Sequence, residues 1–183
     1  MSAKDRQSLC FRSTVERSPA KAGHYVLNTG RQYDAFVELF PIDDDGRLFM
    51  SGDLDSWDCV VPHRIDVVID LDGGLDACIP TETNQCLYIY FPFDDDDQSL
   101  PNMTKLHAVA SMAASLIRAG HSVLTHCNMG FNRSGLVAGL ILTSLGMPGV
   151  VAVSRIRARR PGALYNDRFA QYLLDLPASF DRV

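Results

Sequence analysis

The chain has 183 residues, 46% hydrophobic and 21% charged, enough for one domain with a sizeable core. Its formal net charge of −5 argues against a general grip on nucleic-acid backbones. Five scattered cysteines (Cys10, Cys59, Cys78, Cys86 and Cys127) do not make a disulfide scaffold, and no Cys-x-x-Cys pair suggests zinc.

Residues 1–23 are polar and are expected to form a flexible N-terminal arm, with a single domain over 24–183. Gln32–Phe40 reads as a short helix with Phe36, Leu39 and Phe40 on one face, followed by a turn through Pro41 and Asp43–Gly46. Leu48–Gly52 reads as a first core strand, and Trp57–His63 as a short helix. Buried strands are expected at Ile65–Leu71 and Cys86–Phe91. Leu106, Val109, Ala110, Ala113, Leu116 and Ile117 have helical spacing, and Gly120 is a natural stop. A strand at Ser122–His126 precedes a helix that ends near Gly146. Two more helices fit Pro148–Arg159 and Asp167–Leu176. This alternation predicts an α/β fold with a central, mostly parallel sheet flanked by helices. The polar start carries no signal-peptide pattern, and the longest apolar run, Leu136–Leu142, is far too short to span a bilayer. The expected setting is a reducing cytoplasm without membrane contact.

The chemistry concentrates in His126-Cys127-Asn128-Met129-Gly130-Phe131-Asn132-Arg133-Ser134. A strand feeds this segment and a helix leaves it. A loop entering a helix N-terminus aims backbone N–H groups at one spot, where the helix dipole adds partial positive charge. Such a spot favours a thiolate and binds a tetrahedral oxyanion. Arg133 is planar and permanently charged, so it can grip two phosphoryl oxygens. Gly130 can adopt backbone angles closed to other residues.

This segment resembles the His-Cys-x5-Arg-Ser/Thr signature of the cysteine-based phosphatases, and the flanks resemble the dual-specificity protein phosphatases, from about Gly46 to Leu176. The resemblance implies their fold and a protein phosphatase acting through phosphocysteine. It implies Cys127 as nucleophile, Arg133 as phosphoryl clamp, Ser134 as donor to the departing sulfur and His126 as a modulator of the thiol. Asn128, Met129, Gly130, Phe131, Asn132 and Arg133 would bind phosphate. It also implies an aspartate acid on a loop one strand-helix unit earlier, where Phe91-Pro92-Phe93-Asp94-Asp95-Asp96-Asp97 stands. Alignment of the strand end favours Asp95, then Asp94, then Asp96. Clustered carboxylates raise one another's proton affinity, which suits an acid. Arg160 is the candidate for a second substrate phosphate, and Asn166 for support of the phosphate loop, although Tyr165 precedes it where the family commonly has proline. Apart from the resemblance, Cys86 or Cys78 could form a disulfide with an oxidised Cys127, but both read first as small apolar packing residues.

Other motifs read as structure. Val67-Val68-Ile69-Asp70-Leu71-Asp72-Gly73-Gly74 resembles the nucleophile motif of haloacid-dehalogenase-type phosphatases, but its flanks favour a core strand and turn. Asp43–Gly46 lacks the spacing and closing glutamate of a calcium loop. No cofactor and no metal are expected. The partner is a phosphorylated protein or peptide, phosphotyrosine first, with phosphoserine and phosphothreonine as further candidates. Nucleic acid enters only under an alternative, a cysteine-type RNA 5′-triphosphatase, whose loop Gly130–Arg133 also resembles. A phosphopeptide-binding pseudophosphatase would be expected to lose Cys127 or Arg133, and both are present.

Overall fold

The computed structural model describes residues 38–177, apart from 55, 56, 58, 59, 61, 77, 78 and 81–83. The described residues fall within the compact unit Phe36–Val183. The N-terminal arm and most of the Gln32–Phe40 helix lie outside them. The end of that helix is corrected: Phe40 and Pro41 form a short strand, β1, paired antiparallel with β2 (Leu48–Ser51). Pro41 tolerates this because β1 is an edge strand, where a missing N–H costs no ladder bond. The turn between them is closed by Asp43, whose Oδ1 accepts from the N–H groups of Arg47 and Leu48, both at 2.9 Å. Of the Trp57–His63 helix, Pro62 and His63 lie in a turn and several residues fall outside the description.

The remaining strands are β3 (Val67–Asp70), β4 (Leu87–Tyr90) and β5 (Val123–His126). The sheet order is β1-β2-β5-β3-β4, with every pair after the first parallel. The strands alternate between two buried clusters, as the two-residue pleat period requires. Leu48, Met50, Val67, Ile69 and Val123 face the larger core. Phe49, Val68 and Leu124 face the smaller one, covered by Leu54, Trp57, Val60 and Ile65.

The helices are α1 (Met103–Arg118), α2 (Arg133–Ser144), α3 (Gly149–Arg159) and α4 (Asp167–Leu174). Their buried hydrophobic side chains join the larger core. Asn102 caps α1, its Oδ1 accepting from Lys105 N–H at 3.1 Å. At the other end Gly120, with φ +101°, donates to Ile117 O, and His121 donates to Leu116 O. These are the paired bonds of a Schellman stop, and α2 ends the same way at Gly146 and Met147. Helix α2 is buried from Ser134 to Thr143. Each fully buried Leu or Ile there contributes about 1.5–3 kcal/mol by leaving water.

Register places the site. Ser51 of β2 and Asp70 of β3 both stand opposite His126 of β5. The carboxyl ends of three parallel strands therefore meet at the start of α2, where open α/β sheets build their sites. The same register sets aside the disulfide option for Cys86, which packs against the smaller core as a small apolar residue. Cys86 precedes β4 at the amino end of the sheet, while Cys127 follows β5 at the carboxyl end. About five strand residues, roughly 16 Å, separate these levels, and a disulfide needs Cα atoms within about 7 Å. Cys78 lies outside the described residues.

Candidate active site

The loop after β5 owes its shape to where its carbonyls go. Those of His126, Asn128, Phe131 and Asn132 accept from the N–H groups of Leu71 (3.1 Å), Asp53 (3.1 Å), Leu164 (3.2 Å) and Leu136 (2.8 Å). Those of Met129 and Gly130 accept from the Arg160 guanidinium, through Nη2 at 3.3 Å and Nε at 3.4 Å. A trans peptide unit points its N–H opposite to its C=O. With these carbonyls turned to the surrounding protein, the amides of Cys127 and of Met129 through Arg133 turn the other way. They form a nest of donors at the N-terminus of α2.

Gly130 makes this path possible. It is buried with φ +67°, and a Cβ there would lie 2.5 Å from the carbonyl carbon and oxygen of Ser51. Only glycine fits.

Cys127 is 2% exposed, with Sγ 3.4 Å from the hydroxyl of Ser134 in the first turn of α2. Arg133 is held by one edge. Its Nη1 donates to Leu71 O at 2.9 Å, to Asp72 Oδ1 at 3.1 Å and to Phe93 O at 3.4 Å. Its Nε–H is buried and meets no acceptor among the described residues. A buried guanidinium N–H without an acceptor is costly, and an anion between the loop amides and this edge would satisfy it.

Arg160 lies against the outside of the loop. Its guanidinium stacks between the rings of Phe40 and Phe131, 4.0 and 4.2 Å from their centroids. Burial holds its pKa below the usual arginine value. The group expected to meet a second phosphate thus engages two nitrogens with the loop itself. Phe131 also pairs with Tyr165, ring centroids 6.2 Å apart, and Tyr165 is 65% exposed.

The aspartate run separates into distinct roles. Asp95 is tied to both neighbouring asparagines, its Oδ2 accepting from Asn132 Nδ2 at 2.9 Å and its Oδ1 from Asn166 Nδ2 at 2.8 Å. Asn132 belongs to the loop after β5, so Asp95 borders that loop directly. Asp94 is exposed and follows Phe93, whose carbonyl touches Arg133. Asp96 behaves opposite to the raised proton affinity expected of the run. The Ser99 hydroxyl and the Gln98 N–H lower its pKa, which favours the charged form. A cleft of about 670 Å³ opens here, lined by Asp95, Asn132, Tyr165, Asn166 and Arg168 among others.

Asn166 joins three elements. Its N–H donates to Asn132 Oδ1 at 3.0 Å, its Nδ2 holds Asp95, and its Oδ1 caps α4 at Phe169 N–H, 3.1 Å away.

His126 is fully buried behind the loop and faces acids that the sequence left as strand and turn. Its Nε2 lies 3.0 Å from Asp76 Oδ2 and 3.7 Å from Asp70 Oδ1. Sequence reasoning weighed Asp70 and Asp72 only as a decoy motif and did not single out Asp76. The only signal in the sequence was two aspartates at the carboxyl end of a buried strand; that this strand lies beside the loop's own is seen in the structure.

Residues 52–178 match the family model for the dual specificity phosphatase catalytic domain. Solved structures share the fold. Human DUSP28 superposes with a TM-score of 0.62 at 18% identity, covering 74% of this chain and 89% of that one. Tk-PTP in its active form gives 0.58 at 24% identity, covering 74% and 95%. PTPMT1 in complex with PI(5)P gives 0.54 at 16%, covering 74% and 96%. Among curated proteins, none matches the chain. With more than half its length matched by the family model, the chain belongs to the dual specificity phosphatase catalytic domain family.

Proposed function

We propose that the chain hydrolyses phosphate monoesters on protein substrates, phosphotyrosine first, through a phosphocysteine at Cys127. In this reading 24–183 act as one phosphatase domain in a reducing cytoplasm, where the thiol stays free. The observation that carries it is the loop after β5 itself: Cys127 Sγ lies 3.4 Å from Ser134, the loop carbonyls bond outward, and the buried Arg133 Nε–H meets no acceptor among the described residues.

The thiolate attacks phosphorus in line while the amides and Arg133 take the growing charge on the equatorial oxygens. Asp95 gives its proton to the departing oxygen, and the ester bond breaks as the sulfur–phosphorus bond forms. Water then attacks phosphorus, giving a proton to Asp95. The sulfur leaves with a hydrogen bond from Ser134, releasing inorganic phosphate. The aromatic rim of Phe131 and Tyr165 supports an aryl phosphate as the preferred substrate.

The test is turnover of p-nitrophenyl phosphate and phosphopeptides in EDTA. Activity that Cys127→Ser abolishes is expected, with acid-trapped phosphate on residue 127. Asp95→Asn should lower kcat for alkyl phosphates by about 10²- to 10⁴-fold. An unchanged rate would pass the acid's role to Asp94. Faster release of phosphate from triphosphate-ended RNA than from any phosphopeptide would replace this reading with the triphosphatase one.

A further inference from the structure

Strand β1 and its turn lie before residue 52, where the match to the dual specificity family begins. They nevertheless take hold of the loop after β5. The ring of Phe40 stacks on the Arg160 guanidinium at 4.0 Å, and Phe131 of the loop stacks on it at 4.2 Å. The same guanidinium donates to Met129 O at 3.3 Å and to Gly130 O at 3.4 Å. The turn after β1 is tied to the same region. Asp44 accepts from Arg155 Nη1 at 2.7 Å and from Arg159 Nη2 at 2.8 Å, one oxygen for each. Those arginines stand four residues apart on α3, hence on one helix face, just before Arg160. Arg155 first, and Arg159 after it, hold the Asp44 carboxyl below its ordinary pKa. The hairpin meets the loop a second time at Ser51, the last residue of β2, whose backbone packs against Gly130.

A long arginine samples many rotamers, so it holds a carbonyl in place only if its own plane is fixed. Phe131 cannot fix it, because that ring belongs to the loop and moves with it. Phe40 can. It is paired with Met50 of β2, and β2 is paired with β5. Ile42, two residues on, is fully buried, and its N–H donates to Leu48 O at 2.8 Å. The Phe40 ring therefore stands on the sheet, and the sheet is the frame against which the loop must keep its shape.

We propose that Phe40 is a positioning residue for the loop after β5. It fixes the plane of Arg160, and Arg160 keeps the Met129 and Gly130 carbonyls turned outward. The N–H groups of Gly130 and Phe131, on the far side of the same two peptides, then stay aimed at an oxyanion. Asp44 keeps the end of α3, and so Arg160, in reach of the ring. The inference rests on the reading of this loop as a phosphate cradle. It gives a segment upstream of the family-matched residues a share in anion binding. An aromatic ring is required, because the attraction comes from the negative face of its π-system and not from apolar bulk.

The experiment measures the Kd of tungstate, a tetrahedral oxyanion, for the full chain by titration calorimetry under reducing conditions, with Tm recorded alongside. This readout needs no turnover. Phe40→Leu keeps the apolar bulk, loses the ring and should weaken tungstate binding about 2- to 5-fold. Phe40→Tyr keeps the ring and should bind like the wild type. In an Arg160→Ala background, Phe40→Leu should add nothing. A merely structural role would lower the Tm of Phe40→Leu and leave the affinity of the folded protein unchanged. Wild-type affinity in Phe40→Leu overturns the proposal. So does a loss of equal size in the Arg160→Ala background, or a Phe40→Tyr variant as weak as Phe40→Leu. A wild-type chain that takes up no tungstate removes the cradle itself, and the phosphatase reading then falls together with this one.

Discussion

Replacing Arg160 separates two roles for one guanidinium. As a loop brace it makes two bonds to carbonyls, at 3.3 and 3.4 Å, and two ring contacts, at 4.0 and 4.2 Å. Bonds this long contribute at the low end, about 0.5–1 kcal/mol each. Half-exposed cation–π contacts contribute about 0.5–1 kcal/mol each. Loss of all four in Arg160→Ala removes about 2–4 kcal/mol of support from the Met129–Gly130 peptides. If half of that falls on the transition state, kcat/KM drops by about 5- to 30-fold at 1.4 kcal/mol per tenfold. The assay is kcat/KM on p-nitrophenyl phosphate, which carries a single phosphate. Arg160→Lys is the discriminating variant: it keeps the charge but loses the planar fork and the stacking. A brace predicts that Lys fails nearly as badly as Ala. A Lys variant with wild-type activity on the single phosphate, and both variants defective only on doubly phosphorylated peptides, would refute the brace and restore the second-phosphate role.

Gly130→Ala should cut kcat/KM by more than 10²-fold, because the new methyl meets Ser51 backbone at 2.5 Å and the residue must hold φ +67°. Equilibrium binding of orthovanadate to the folded variant checks that the loss is in the cradle. Asp70 gives a pH dependence of stability. Its carboxyl holds a proton more tightly when folded than when unfolded. Its stabilising contribution is therefore complete below the unfolded carboxyl pKa, about 3.9, and is lost as pH rises through the raised folded value. Asp70→Asn removes that loss, so the Tm of the variant relative to wild type should climb between about pH 4 and pH 8. A constant difference across the range would refute it.

Most of the frame was legible because it rests on local rules. Hydrophobic periodicity marked β3, α1 and α2, and Gly120 and Gly146 marked where two helices stop. Phe40 was misread because an apolar residue before a proline fits a helix end as well as an edge strand. Cys127, Arg133 and Ser134 were visible as a contiguous segment. The second layer was not, because it is assembled by strand order. Nothing in sequence distance brings Asp70 and Asp76 to His126, or Asp72 to Arg133. That follows only once β3 lies beside β5 in register. The stacking of Arg160 between Phe40 and Phe131 likewise depends on β1 reaching the outer side of the loop.

The way the loop carbonyls are held decides how the chain tolerates mutation. Four rest on backbone donors, at Asp53, Leu71, Leu136 and Leu164, which every residue except proline supplies. Substitutions other than proline at those four positions keep these donors, although Leu71, Leu136 and Leu164 are fully buried and their truncation costs packing instead. The other two carbonyls depend on one side chain. For those two carbonyls the loop's sensitivity to side-chain change therefore reaches thirty residues downstream, to a position that no motif in the loop itself marks.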